Sequence, residues 1–139
     1  MAAETSILVN GNITMRQLYN ALERVGIHSS LSVETLTNSM KKADFNSMFI
    51  PIMVDGLHRG LFIKFYDYYE FKSTLRKELP LNSRKLKNVS GNILYISAKH
   101  EVLAENMLSN LAHDLGGGYI IEKDTNSYSR PEYKEIKGK

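Results

Sequence analysis

Two periods of apolar residues run along this chain, and each marks a different kind of element. Period two is clearest in "NSMFIPIMVDGLHRGLFIKFY", residues 46–66. Asp55-Gly56 at its centre is a two-residue hairpin signal, because a type I′ turn needs positive φ at both positions. Closing that turn pairs Val54 with Leu57, Ile50 with Leu61 and Met48 with Ile63 on one face. The other face then carries Phe49 opposite Phe62, Pro51 opposite Gly60 and Ser47 opposite Lys64. Both faces are largely apolar, which predicts cover on both sides, at least in part. Pro51 has no N–H to give to a ladder, so its strand is expected at an edge or bulged there.

The helical period flanks this hairpin. Thr14 and Gln17 have capping-box spacing, Met15, Leu18, Leu22 and Val25 follow at helical intervals, and Gly26 stands where a left-handed C-terminal cap belongs. Ser32 caps a second helix with Val33, Leu36 and Met40 on its inner face. Asp67 and Glu70 repeat the capping-box spacing and open a third helix, with Phe71, Leu75 and Leu79 as its stripe and Pro80 after its end. A last helix is expected from about Ala98 to Leu115, carried by Leu103, Met107, Leu108 and Leu111. Short strands are expected at "SILVN", "NILYIS" and "YIIEK". The fold class is α+β: a small mixed or mostly antiparallel sheet containing a central β-hairpin at about 47–66, with about four helices packed on it. One globular domain is expected over residues 1–124, with 125–139 an exposed C-terminal tail in which "EYKEI" could add an edge strand.

Composition narrows the class of protein. At 139 residues, 42% hydrophobic and 24% charged, the chain has the makings of a single core and of ordinary globular order. It contains no cysteine, which excludes disulfides, cysteine-ligated metal clusters and a thiol nucleophile. The start "MAAETSILVNGN" has neither the basic nor the apolar segment of a secretion signal, and the longest apolar run, "MFIPIMV", is far too short for a membrane span. A soluble protein of the cytoplasm or another intracellular space is expected, with no membrane partner.

Candidate chemistry is sparse. Three of the nine glycines stand together at Gly116, Gly117 and Gly118, but they follow a helix and precede a strand. Phosphate-binding glycine loops have the opposite order, with free N–H groups and the positive helix end aimed at the anion. The glycines therefore read as a C-terminal cap and a tight turn. His28, His58, His100 and His113 lack metal-ligand spacing with each other or with Glu101 and Glu105. Ser97 sits between a strand and a helix, where nucleophiles occur and where N-caps belong, and the cap is the expected role. The connection "GIHSSLS" is longer than a helix-turn-helix turn, and "VETLTNSMKKA" offers only Lys41 and Lys42 to DNA. No catalytic residue, metal ligand or cofactor site is assigned.

Charge is distributed more tellingly. Between residues 72 and 87 stand six basic groups, Lys72, Arg76, Lys77, Arg84, Lys85 and Lys87, against one acid, Glu78. That stretch is net +5, while the other 12 basic and 14 acidic residues leave the rest of the chain at −2. Just upstream, "FIKFYDYYEF" sets aromatics, Tyr66 among them, beside Lys64, the combination that base stacking needs. The expected function is that of a non-catalytic accessory or regulatory protein that binds an acidic protein surface or a nucleic acid through Lys64, Tyr66 and the 72–87 segment. Two other classes stand beside it. One is a small enzyme with a site around the strand–helix junction at 97–105, using Ser97, His100, Glu101 and Glu105. The other is a structural subunit that presents the apolar hairpin edge. The oligomeric state is open.

Overall fold

The computed structural model describes residues 3–44, 46–54, 56–71, 73, 91–99, 105–124 and 132–139. Seven strands form one sheet: β1 (Ala3–Asn10), β2 (His28–Ser29), β3 (Ser47–Val54), β4 (Leu57–Tyr66), β5 (Ile93–Lys99), β6 (Gly117–Asp124) and β7 (Glu132–Lys137). Their order is β2-β3-β4-β5-β1-β6-β7, and every neighbouring pair is antiparallel. Three ten-residue helices accompany them, α1 (Met15–Arg24), α2 (Val33–Lys42) and α3 (Glu105–Asp114). The class is α+β.

All three helices cover one face of the sheet. Met15, Leu18, Ala21 and Leu22 of α1, Val33 and Leu36 of α2, and Leu108, Leu111 and Ala112 of α3 enclose Ile7, Val9, Ile50, Ile52, Leu61, Ile63, Leu94 and Ile96 in one core. Each fully buried leucine or isoleucine contributes about 2 kcal/mol relative to exposure, so this layer dominates stability. The sheet residues of opposite parity, Leu8, Tyr66, Ile93, Tyr119 and Ile121, form a second, smaller cluster with Phe71 from the turn after β4.

The helix ends follow from their sequences. Thr14 accepts from the Gln17 amide at 3.1 Å while the Gln17 side chain accepts from the Thr14 amide at 2.8 Å, which is the capping box. At the other end of α1, Ile27 N–H bonds the Leu22 carbonyl at 2.9 Å and Gly26 N–H bonds that of Glu23 at 3.1 Å. These two bonds are the Schellman closure, and Gly26 at φ +86° makes it possible. Ser32 caps α2 as expected.

The hairpin pairs as its alternation requires, from Val54 opposite Leu57 to Ser47 opposite Lys64. Pro51 lies where β3 meets only the two-residue β2, and its carbonyl accepts from Ser30 N–H at 2.8 Å. In an antiparallel strand the N–H points to the same side as the carbonyl, so the missing donor faces this short edge partner rather than β4.

Three expectations are corrected. Three long helices stand among the described residues rather than about four: the helix expected from Asp67 opens at Tyr68–Glu70, with Glu70 N–H bonded to Asp67 Oδ1 at 2.7 Å, and is still helical at Phe71 and Ser73, while residues 72 and 74–90 lie outside the described ones. The strand expected to end at Ser97 continues to Lys99, because Ala98 and Lys99 still pair with Thr5 and Glu4. The connection between α1 and α2 holds a strand, β2, with no period long enough to announce it. The stretch read as a tail that could add an edge strand does add one, since Glu132–Lys137 pairs with β6.

One ion pair locks the helix layer. Arg24 at the end of α1 grips Asp114 at the end of α3 with Nη2 to Oδ2 at 2.7 Å and Nε to both oxygens at 3.0 and 3.1 Å, and Lys139 approaches Oδ1 at 3.4 Å. Hydrogen bonds from Arg24 hold the Asp114 carboxyl below its ordinary range, partial burial opposes them, and Lys139 adds to the lowering. A folded-state value below the unfolded one gives stability that is complete above the ordinary range near about pH 4 and is lost as pH falls through the lower value. The melting temperature of the native protein should therefore fall faster below about pH 4 than that of Asp114→Asn. Parallel pH profiles for the two proteins would contradict this role of the pair.

Candidate functional site

The second sheet face carries the remaining polar and aromatic features. Alternation along β3, β4 and β5 puts Phe49, Phe62 and Ser97 in one row, and Ser47, Lys64 and Tyr95 in the next. On β1, Ser6 and Leu8 extend these rows, and Ile121 and Tyr119 continue them onto β6.

Aromatic rings form a ladder across three strands. Phe49 and Phe62 lie 5.2 Å apart at 56°, Phe62 and Tyr95 6.1 Å apart at 68°, and Tyr66 and Tyr95 6.4 Å apart at 83°. Tilted and edge-on contacts of this kind suit the ring quadrupoles and hold the rings in place. Phe49 is 69% exposed although it lies in the middle of a strand, whereas Tyr66 is 8% exposed.

Beside the ladder lies a hydrogen-bonded group drawn from β1 and β5. Ser97 Oγ donates to Glu4 Oε1, Tyr95 OH donates to the same oxygen at 3.5 Å, and Ser6 Oγ shares a bond with Tyr95 OH at 2.9 Å. Ser6 and Ser97 are buried, and each has a partner here, so neither leaves an unsatisfied hydroxyl. Burial raises the Tyr95 hydroxyl above its ordinary range, hydrogen bonds from Ser6 and Ser97 pull it back, and the nearby Glu4 charge adds to the rise. Tyr95 therefore stays a neutral donor at physiological pH. Ser97 is thus not the cap of a helix, as its sequence suggested: it is a mid-strand residue whose hydroxyl serves Glu4. Its partner is a carboxylate and not an imidazole, and a carboxylate is a poor base for a serine hydroxyl. The group is built for hydrogen bonding.

The residues predicted to bind a partner divide in two. Lys64 and Tyr66 stand on this second face, where Lys64 Nζ lies 4.5 Å from the centre of the Tyr66 ring and 3.2 Å from Glu70 Oε1. Lys64 is thus a neutralised cation, and Tyr66 is a support for it. Lys72, Arg76, Lys77, Arg84, Lys85 and Lys87 lie outside the described residues, as do His100 and Glu101. Glu105 begins α3, away from Ser97 in the chain by the intervening 100–104 stretch. Sequence reasoning did not find Glu4, Ser6, Tyr95, Phe49 and Phe62 as a group. The available signal was parity: polar Ser6 and Ser97 stand on the strand face opposite to Ile7 and Ile96.

The three glycines stand at the end of α3 as a turn. Gly116 N–H bonds the His113 carbonyl at 3.3 Å, and Gly117 already opens β6. Their N–H groups follow a helix C-terminus, where the dipole disfavours an anion. Among the described residues no helix is long and apolar enough to cross a membrane, and no three histidine or acidic side chains gather as metal ligands. Comparison of the chain with protein-family models, with curated proteins and with solved structures finds no match.

Proposed function

We propose that this is a non-catalytic accessory protein of the cell interior that holds a polyanionic macromolecule, with the 72–87 segment supplying the charge. The observation that carries the reading is the concentration of charge: net +5 in sixteen residues against −2 in all the others. A protein that needed only solubility would gain from dispersed charge. The described residues that flank the segment, Phe71 and Gly91, follow and precede strands that pair with each other through Tyr66 and Ile93. Steered encounter follows from such a local field, with arginines contacting phosphate or carboxylate in pairs and lysines acting as point charges.

The test is binding of three labelled polyanions, a 15-nucleotide oligothymidylate, a 15-base-pair duplex and a 15-residue polyglutamate, by native protein and by Arg76→Glu/Arg84→Glu/Lys85→Glu. The native protein should bind at least one of them, and the variant should bind it at least about ten-fold more weakly with an unchanged melting curve. Equal binding by both proteins would overturn the role of the segment.

A further inference from the structure

We infer that the outer edge of β3 pairs with the same edge of a second copy of this chain, joining two sheets about a two-fold axis at Met48. The inference stands apart from the polyanion reading and starts from main-chain groups. Pro51 turns its carbonyl outward to Ser30 N–H, so Ser47 and Phe49, of the same parity, turn their N–H and C=O groups outward as well. β2 pairs only with Ile52 and Met53, and among the described residues nothing bonds the outward groups of Ser47 and Phe49. Side chains do not guard this edge either. Residues 46–54 carry no charge, whereas the opposite edge strand, β7, exposes Lys134, Glu135 and Lys137. Charged side chains are a usual protection of a sheet edge, and a bare edge is a template for another strand.

The free groups fix the register. Pro51 has no N–H and its carbonyl is taken, which leaves Ser47 and Phe49 to exchange hydrogen bonds. An antiparallel pairing that sets Ser47 against Phe49 of the second copy, and Phe49 against its Ser47, leaves none of their outward groups unpaired. Pairing Phe49 with its own counterpart would instead set Ser47 against Pro51, where Ser30 already lies. Asn46, at φ +50°, bends the chain at the start of β3 and ends the pairing short of Ser30. In this register the two Phe49 residues are diagonal neighbours on the second face, roughly 7–8 Å apart and within reach of each other's rings. The ring ladder that runs from Tyr66 through Tyr95 and Phe62 to Phe49 then continues across the axis, and Phe49 loses its exposure.

The shortness of the free edge selects the occupant. A disordered peptide would have to fix its backbone for a ladder of two residues, and that ordering costs more than so few net hydrogen bonds return. A second copy brings a strand already held in place by β4. It also brings a ring to meet the ring, and no charge that would oppose the approach.

Sedimentation equilibrium of the native protein and Phe49→Lys, with air oxidation of Met48→Cys and Leu57→Cys, tests this. The chain has no cysteine of its own, so each cysteine variant reports on one position. Across the axis the two residues at position 48 form a non-hydrogen-bonded pair with Cα atoms about 4.5 Å apart, within disulfide range. Leu57, exposed at the hairpin tip, is the control for random collision. The native protein should reach twice the monomer mass at about 100 μM, and Phe49→Lys should weaken association at least about ten-fold with an unchanged circular dichroism spectrum. Met48→Cys should form a covalent dimer at least about ten-fold faster than Leu57→Cys. A native protein that stays monomeric at that concentration would overturn the inference. Equal oxidation rates in the two cysteine variants, or a dimer that Phe49→Lys leaves intact, would overturn it too, because either result places the contact elsewhere.

Discussion

Gly118→Ala is expected to remove at least about 3 kcal/mol of stability, enough to leave a domain of this size largely unfolded on mild denaturation. Gly118 lies opposite Val9 in the ladder that joins β6 to β1, the central strand. A Cβ there would overlap the Leu8 carbonyl oxygen, with the Leu8 carbonyl carbon only 3.0 Å away. Neither atom can yield, because both belong to the backbone of a strand buried between two others. Gly117→Ala should cost less but still be severe, since φ is +89° and the new Cβ would meet Ile136 O of the edge strand β7 at 2.7 Å and Gly138 N just beyond it at 2.6 Å. Gly116→Ala is the control. Its φ is +98° with nothing within 4 Å, so only the strain of about 1 kcal/mol should appear. Urea melts of the three variants should rank them Gly118, Gly117, Gly116 from worst to mildest. Three equal losses would mean that close backbone approach does not decide the tolerance here.

The hairpin should show the second large effect, and its two faces should differ. Ile50 and Leu61 are opposite each other, fully buried beneath the helices. Truncating either to alanine should cost about 2–4 kcal/mol, the transfer term plus an unfilled cavity. Phe49 is one residue from Ile50 and points to the other face, so Phe49→Ala should change stability by about half a kcal/mol or less. A loss at Phe49 as large as that at Ile50 would place the ring in a core and remove its availability to a partner. Small losses at Ile50 and Leu61 would contradict the packing of the helix layer.

Local signals carried most of what could be read from the chain. The hairpin register followed from Asp55-Gly56 and alternation because turn type and pairing are fixed within a few residues. The Thr14 capping box and the Gly26 closure followed for the same reason. What lay beyond was pairing at long range. Nothing near "SILVN" says that β1 lies between β5 and β6, because partner choice depends on which faces remain to be buried when the whole chain has collapsed. The Glu4, Ser6, Tyr95 and Ser97 group joins residues about ninety positions apart, through strands whose adjacency no local period encodes. Ser97 shows the limit most clearly. A serine before "AKHE" reads locally as a cap, and the pairing of β5 with β1 overrode that preference by extending the strand two residues further.

The aromatic ladder was half visible. "FIKFYDYYEF" showed rings beside Lys64, and Tyr66 was the residue singled out for stacking. Tyr66 is covered by the cluster it shares with Phe71 and Ile93, while the exposed rings are Tyr69, just past the strand's end, and Phe49, from the opposite hairpin strand. An alternating strand names which residues share a face, but it does not say how far along the strand the cover extends.

The central claim is that concentrated positive charge at 72–87 meets a polyanion, and salt dependence measures it most directly. Oligothymidylate affinity should be followed against salt concentration for native protein and for Arg76→Gln/Arg84→Gln/Lys85→Gln, which removes three charges without adding repulsion. On a log–log plot the native slope should exceed the variant's by about two units, close to 0.7 for each phosphate of a single strand that the variant leaves unneutralised. Equal slopes and equal affinities would show that the segment releases no counterions, and the binding role assigned to it would be wrong.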